Sequence, residues 1–241
     1  MNKILSFDIG MKNLSFCIIE YCSDDFNIKD WGIINIFNED TNLICNGIKA
    51  DGKKCTKNCT KFVTENDLKL GYCGTHIKKF PVEKIKSLEK INVNKIDILG
   101  LYKCLIDSLE NYKHRFMDVD EILIENQPAL KNPKMKTIQV AIYTYFFIRC
   151  FTDKCSTRLN NIKQISASNK LKIYDGPPIE SNAKNKYAKN KDLSIKYCEY
   201  FIKNNIEMLD YFKSEKKKDD LADSFLQGLY YIKLKQKSKK K

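Results

Sequence analysis

Apolar and polar positions fall into short, distinct runs along the first third of the chain. Residues 3–20 read KILSFDIGMKNLSFCIIE. Ile4, Leu5, Phe7 and Ile9 form one apolar run and residues 14–19 a second, with Gly10 and three further residues between them. This predicts two strands joined by a tight turn. Residues 31–37 (WGIINIF) predict a third strand, and three strands in succession predict an antiparallel meander opening a mixed sheet. In residues 95–112 the apolar positions Ile98, Leu101, Leu105, Ile106 and Leu109 make one stripe of a helix. Residues 120–127 (DEILIENQ) predict a strand stopped by Pro128. A helix apolar on most sides follows over 135–151, then a further strand over 157–165 and a helix from about Lys191 to Phe201. In residues 216–232 (KKKDDLADSFLQGLYYI), Leu221, Phe225, Leu229 and Ile232 recur at helical spacing. The order predicts an α/β fold, a mixed sheet flanked by helices.

Carboxylates interrupt these apolar elements at four places. Asp8 sits in the first strand and Glu125 at the end of the 120–127 strand, each beside residues suited to burial. A lone acid there is costly without a positive partner. A hydrogen-bonded turn acid, an Arg or Lys partner and a metal ion all remain open for Asp8. Asp220 and Asp223 lie three apart on a helix face next to the apolar stripe. The helix dipole accounts for Asp219 and Asp220 as end charges, but less well for Asp223. If the two strands are neighbours and the last helix packs over them, the four acids meet at one end of the sheet. Carboxylates with room for water are the pattern of Mg²⁺, or Mn²⁺ in its place. Two such ions can clamp the attacking and leaving oxygens of a phosphodiester, with Lys191 offsetting the charge that develops.

Residues 38–80 break the pattern. They have little apolar periodicity but contain Cys45, Cys55, Cys59, Cys73 and His76. Zinc takes four N/S ligands, usually as two close pairs, and a segment too polar for its own core can fold on that energy. The expected set is Cys45, Cys55, Cys73 and His76, with Cys59 as the substitute for Cys55. The spacing resembles that of small viral zinc modules.

Composition narrows the partners. The 241 residues carry 43 Lys+Arg against 30 Asp+Glu, a net charge of +13, which favours a polyanion such as nucleic acid. Lysines at 170, 172, 184, 186, 189 and 191, with Tyr174 and Tyr187 among them, predict a mobile basic loop suited to phosphate contact. The end of the chain, KLKQKSKKK, predicts a disordered basic tail. No apolar run reaches membrane-spanning length, and the first strand begins without a signal segment. A non-secreted, intracellular protein is expected, in host cytoplasm or nucleus if it is viral. Its ten cysteines should then be mostly reduced.

Taken together, FDIGMKNLSFCIIE, ILIENQP, YAKNKDLSI and KKDDLADSFLQ resemble the ribonuclease H-like nucleases. Among those, they resemble most the RuvC-type Holliday junction resolvases of the poxvirus and large-DNA-virus branch. The resemblance spares residues 38–80. It implies a ribonuclease H-like nuclease domain over 1–235, with 38–80 as a cysteine-rich insertion and 236–241 as a basic tail. It also implies Asp8, Glu125, Asp220 and Asp223 as metal-binding catalytic acids and Lys191, or Lys189, as the active-site lysine. Mg²⁺-dependent paired nicking of four-way DNA by a homodimer follows from the same resemblance. The insertion departs from the simpler members and would add DNA contact or dimer contact. Two rivals stay open: a nuclease of this fold acting on RNA–DNA hybrids, and a non-catalytic zinc-containing nucleic-acid-binding protein. A phosphotransferase of the actin or hexokinase type also begins with Asp-x-Gly, but needs Gly-rich phosphate loops that nine glycines do not supply.

Overall fold

The computed structural model describes residues 1–23, 25–37, 44–66, 68–88, 92–130 and 132–239. Residues 38–43 and 67 of the expected insertion, and 240–241 of the expected tail, lie outside the described residues. In chain order the elements are β1 (Asn2–Ile9), β2 (Asn13–Cys22), β3 (Asp25–Asn35), β4 (Lys61–Glu65), β5 (Leu68–Tyr72) and β6 (Lys86–Ser87). There follow α1 (Ile98–Asn111), α2 (Lys113–Phe116), β7 (Glu121–Asn126), α3 (Pro133–Phe147), β8 (Asn161–Ser166), α4 (Lys186–Ile202), α5 (Ile206–Ser214) and α6 (Lys218–Lys239). The chain divides into two compact units, Met1–Ile36 with Asp97–Lys241, and Phe37–Ile96.

The first unit is built on a five-stranded sheet in the order β3-β2-β1-β7-β8. β1, β2 and β3 form the expected antiparallel meander, while β1–β7 and β7–β8 are parallel. Central strands buried on both faces read as continuous apolar runs, and Ile4, Leu5, Phe7, Ile122, Leu123 and Ile124 are all fully buried. Gly10 closes the β1–β2 turn because a Cβ there would stand 2.4 Å from the Asn13 carbonyl oxygen. One face of the sheet carries an aromatic cluster, in which Phe7 packs on Phe116 of α2 and Phe146 of α3. The other face packs under α4, α5 and α6: Ile4, Ile19 and Leu123 join Leu226 and Leu229 in one cluster. Trp31 stacks on Phe212 of α5 with ring centroids 5.3 Å apart. The helix α6 can approach β1 and β2 closely because Gly228 faces them; a Cβ there would meet Ile19 Cδ1 at 2.8 Å.

Several boundaries differ from the sequence reading. β3 begins at Asp25, ahead of the apolar 31–37 run, because pairing with β2 carries a strand through polar residues. The helix expected over 135–151 ends at Phe147 and passes into a π-turn, Ile148–Thr152. The α4 helix opens at Lys186, where the side chain of Asn185 accepts from Ala188 N. The expected disordered tail is instead helical to Lys239. Lys235 pairs with the buried Glu121, and that bond ties the basic end of α6 to β7. The aromatic Tyr174 of the basic loop stacks on Tyr197 of α4 with centroids 4.0 Å apart, so it packs inward. Among the described residues, no helix is long and apolar enough to cross a membrane.

The second unit contains a three-stranded sheet in the order β5-β4-β6. Short bridges, Ile44 to Asn58 and Ile48 to Lys54, close the loop ahead of it.

Candidate active site

The period of two along β1 sends Ile4, Ser6 and Asp8 to the face under α6. On β7 the same period puts Glu125 on the face of Leu123. The parallel register pairs Phe7 with Ile124, so the next residues, Asp8 and Glu125, stand side by side at the C-terminal edge of the sheet. On α6, Asp220, Asp223 and Gln227 follow at three- and four-residue spacing, one face of a helix. Gln227 Nε2 donates to Ser6 Oγ and to the Phe7 carbonyl, each at 3.1 Å. Ser15 Oγ donates to Ser224 Oγ at 2.8 Å. These buried bonds, from Ser224 next to Asp223 and from Gln227 one turn further on, fix α6 against β2 and β1.

A cation stands at the meeting point. Lys170 lies on the 3-10 turn Ala167–Ile173 that follows β8. Its Nζ is 3.4 Å from Asp8 Oδ1 and 3.6 Å from Glu125 Oε1, and it donates to Asp223 Oδ2. Each of these side chains is less than one-fifth exposed. Glu125 Oε2 accepts from Gln127 Nε2 at 2.5 Å, and Asp223 Oδ1 accepts from Ser194 Oγ of α4. Burial pushes the Asp8 carboxyl well above its usual range; Lys170 opposes that, while Glu125, Asp223 and Asp220 add to it. Burial works against the Lys170 ammonium, but Asp8, Asp223 and Glu125 outweigh it and hold the proton on. Burial also raises the Asp220 carboxyl, with Asp219 adding to the effect.

Asp8, Glu125, Gln127, Lys170 and Asp223 line one open cleft of about 690 Å³. Asp220 and Lys191 are part of its wall. Lys191 donates to Asp219, and its ammonium is 5.1 Å from the Tyr187 ring centroid. Burial pushes the Asp219 carboxyl up, but the bond and charge of Lys191, its own backbone N–H and the charge of Lys217 together leave it below the ordinary range. Lys189 is exposed and is not among the residues lining the cleft. Sequence reasoning missed Lys170, Gln127, Ser194 and Asp219 as site residues. Gln127 had a signal, since it follows Glu125 by two on a strand; Lys170 had none that set it apart from neighbouring lysines. The donor set suits a hard divalent cation: carboxylate oxygens from β1, β7 and α6 converge where the ammonium now stands.

In the second unit, the Sγ atoms of Cys45, Cys55 and Cys73 and a ring nitrogen of His76 all lie within 4.8 Å of one another. Cys59 is partly buried against this group but is not one of the four. Backbone N–H groups of His76 and Thr75 pull the Cys73 thiol down to about 6, against its desolvation. Burial pushes the Cys59 thiol up to about 11.

A mixed sheet of this order, with acids at the C-terminal edge of its central strands and helices on both faces, defines the ribonuclease H-like class. Within that class the chain shares its fold with a solved Holliday junction resolvase. The yeast mitochondrial Holliday junction resolvase Ydc2 superposes with a TM-score of 0.55 over 98% of this chain and 82% of that one, at 16% identity. Two viral proteins are similar in sequence. Uncharacterized protein L451 of Acanthamoeba polyphaga mimivirus is 28% identical over 95% of this chain and 74% of its own length. Uncharacterized protein 97L of Invertebrate iridescent virus 3 is 25% identical over 91% of this chain and 94% of its own. No family model matches the chain.

Proposed function

We propose that this chain is a divalent-metal-dependent DNA endonuclease that resolves four-way junctions by paired nicks. The observation that carries the proposal is the convergence of Asp8, Glu125 and Asp223 on one cationic position in a cleft also lined by Asp220. Asp8, Glu125, Asp220 and Asp223 would hold Mg²⁺ or Mn²⁺. Bound there, the metal supplies an activated water and neutralises charge on the phosphate. The chain's own residues do the rest. Gln127 and Ser194 each occupy one oxygen of Glu125 and Asp223 and so orient the other. Lys191, which also lines the cleft, would place a positive charge beside an entering phosphate. Lys170 holds the carboxylates together until a divalent ion competes for them.

A net charge of +13 suits a branched, polyanionic substrate. A symmetric junction offers two equivalent strands, so paired nicks need two active sites and call for a homodimer. On this reading residues 1–235 form the nuclease domain, 38–80 its insertion and 236–241 a basic end. The likeness to two viral proteins favours work on viral DNA inside an infected cell.

The test is cleavage of a four-way junction, an RNA–DNA hybrid and a linear duplex, with and without Mg²⁺ or Mn²⁺. Paired cuts confined to the junction, and dependent on the ion, are expected. Asp8→Asn should reduce cleavage to background and leave junction binding intact. Degradation of the hybrid alone would move the substrate to RNA–DNA. Tight binding without cleavage by the unaltered protein would leave a nucleic-acid-binding protein.

A further inference from the structure

The second unit poses a folding problem. Among its described residues few apolar side chains are buried: Phe37, Val63 and Ile77, beside a cluster of Cys45, Cys55 and Cys73 against which Cys59 and Tyr72 pack. A unit of this size with so small a core is not held by burial alone. Its cysteines are free thiols, and Cys55 Sγ lies 4.0 Å from Cys73 Sγ, twice the length of a disulfide bond at about 2.0 Å.

The side chains are set for a shared ion. Cys45 Sγ and Cys73 Sγ each stand 3.3 Å from His76 Nδ1. A zinc tetrahedron with Zn–S of about 2.3 Å and Zn–N of about 2.0 Å has edges of about 3.5–3.8 Å. The 3.3 and 4.0 Å separations bracket that range. His76 Nε2 is 3.0 Å from the Ile48 carbonyl oxygen. A carbonyl only accepts, so Nε2 carries the hydrogen and Nδ1 turns its lone pair to the sulfurs. The N–H groups of Gly47 and Cys73 donate to Cys45 Sγ at 3.3 and 3.2 Å, bonds that strengthen toward a thiolate. The N–H of Cys55 donates to the Gly47 carbonyl at 2.8 Å and draws the two cysteine segments together. Gly47 lies flat against the imidazole; a Cβ there would fall 2.3 Å from His76 Cγ.

We infer that Cys45, Cys55, Cys73 and His76, through its Nδ1, hold one structural zinc ion, and that this ion is the core of the second unit. Four protein ligands fill a tetrahedron and leave no position for water, so the ion acts in folding and not in hydrolysis. Cys59 stays outside the set. The inference does not depend on the nuclease reading, since metal content is measured without any cleavage assay.

The experiment uses the full chain, purified without chelator, with zinc measured by elemental analysis. One zinc per chain is expected, retained in Cys59→Ser and lost in Cys55→Ser and Cys73→Ser. Gly47→Ala pushes the imidazole away and should weaken zinc affinity about 10–100-fold in competition with a chromophoric chelator. Should Cys55→Ser fail to fold, Cys55→His keeps a ligand there; it should retain the metal and shift the absorption of the cobalt(II)-loaded protein. Chelation should abolish hydrogen-exchange protection in β4 and β5 and spare β1, β2 and β7. A zinc-free native protein, equal zinc loss in Cys59→Ser and Cys55→Ser, an unshifted cobalt spectrum in Cys55→His, or unchanged protection of β4 and β5 after chelation would each overturn it.

Discussion

Lys170 is the residue on which the electrostatics of the cleft turn. Three largely buried carboxylates share one ammonium, so the cation offsets part of a repulsion that would otherwise stand unrelieved. Removing one member of a buried ionic group costs about 3–5 kcal/mol, mostly by leaving the others uncompensated. Lys170→Met should therefore destabilise the metal-free protein by about that amount in urea denaturation. Mg²⁺ or Mn²⁺ should restore most of the loss, because an ion bound only by the folded state stabilises it by mass action. Its apparent metal affinity should also rise, since the ion no longer displaces an ammonium. Equal stability of variant and parent in metal-free buffer would mean that the carboxylates do not depend on this cation. The acids could be picked out of the sequence because charge inside an apolar strand or beside an apolar helical stripe is conspicuous. Lys170 could not: it is one lysine among six in a polar stretch, and only the 3-10 turn after β8 aims it inward. Asp219 does lie in the first turn of α6, as an end charge should, and it accepts from Lys191 as well.

At the scale of elements, the site depends on the alignment of α6 with β1. The two strands fix Asp8 and Glu125 relative to each other through parallel register, but Asp223 arrives on a helix that could slide along the sheet. Gln227 prevents this by donating to both Ser6 and Phe7 of β1 from a fully buried position. Gln227→Met keeps the shape and removes the donors. A displacement of about 1 Å costs roughly 10²-fold in a reaction that needs aligned groups. Cleavage in single turnover should fall by that order while junction affinity and thermal stability change little; an unaltered rate would show that packing alone sets the register of α6. The strand and helix order could be read from periodicity, because burial on one or two faces leaves a pattern of two or of 3.6. β4 and β5 could not be read: residues 61–72 bury little beyond Val63, so no alternation marks them. The extension of α6 through a lysine-rich end escaped for a similar reason. Its support comes from partners distant in sequence, Glu121 above all.

For the molecule as a whole, charge decides how a substrate is met. An excess of 13 positive charges acts on any phosphate backbone, branched or linear, while the acidic cleft is a local interruption that a divalent ion neutralises. Two contributions to DNA affinity should therefore separate experimentally. The general one comes from counterion release, so log Kd against log salt should be linear for junction and duplex alike. If about 6–10 phosphates are engaged, affinity falls about 10³–10⁵-fold between 50 and 200 mM salt. The selective one, on the proposed function, would come from the shape of the four-way crossing and its fit to two copies of the chain. It should survive as a junction-to-duplex ratio that changes far less than either affinity. Titrations with Asp8→Asn in Mg²⁺, at several salt concentrations, measure both without cleavage. A ratio that collapses in step with the affinities would mean that the basic surface does all the recognising and that the protein has no feature matched to a junction.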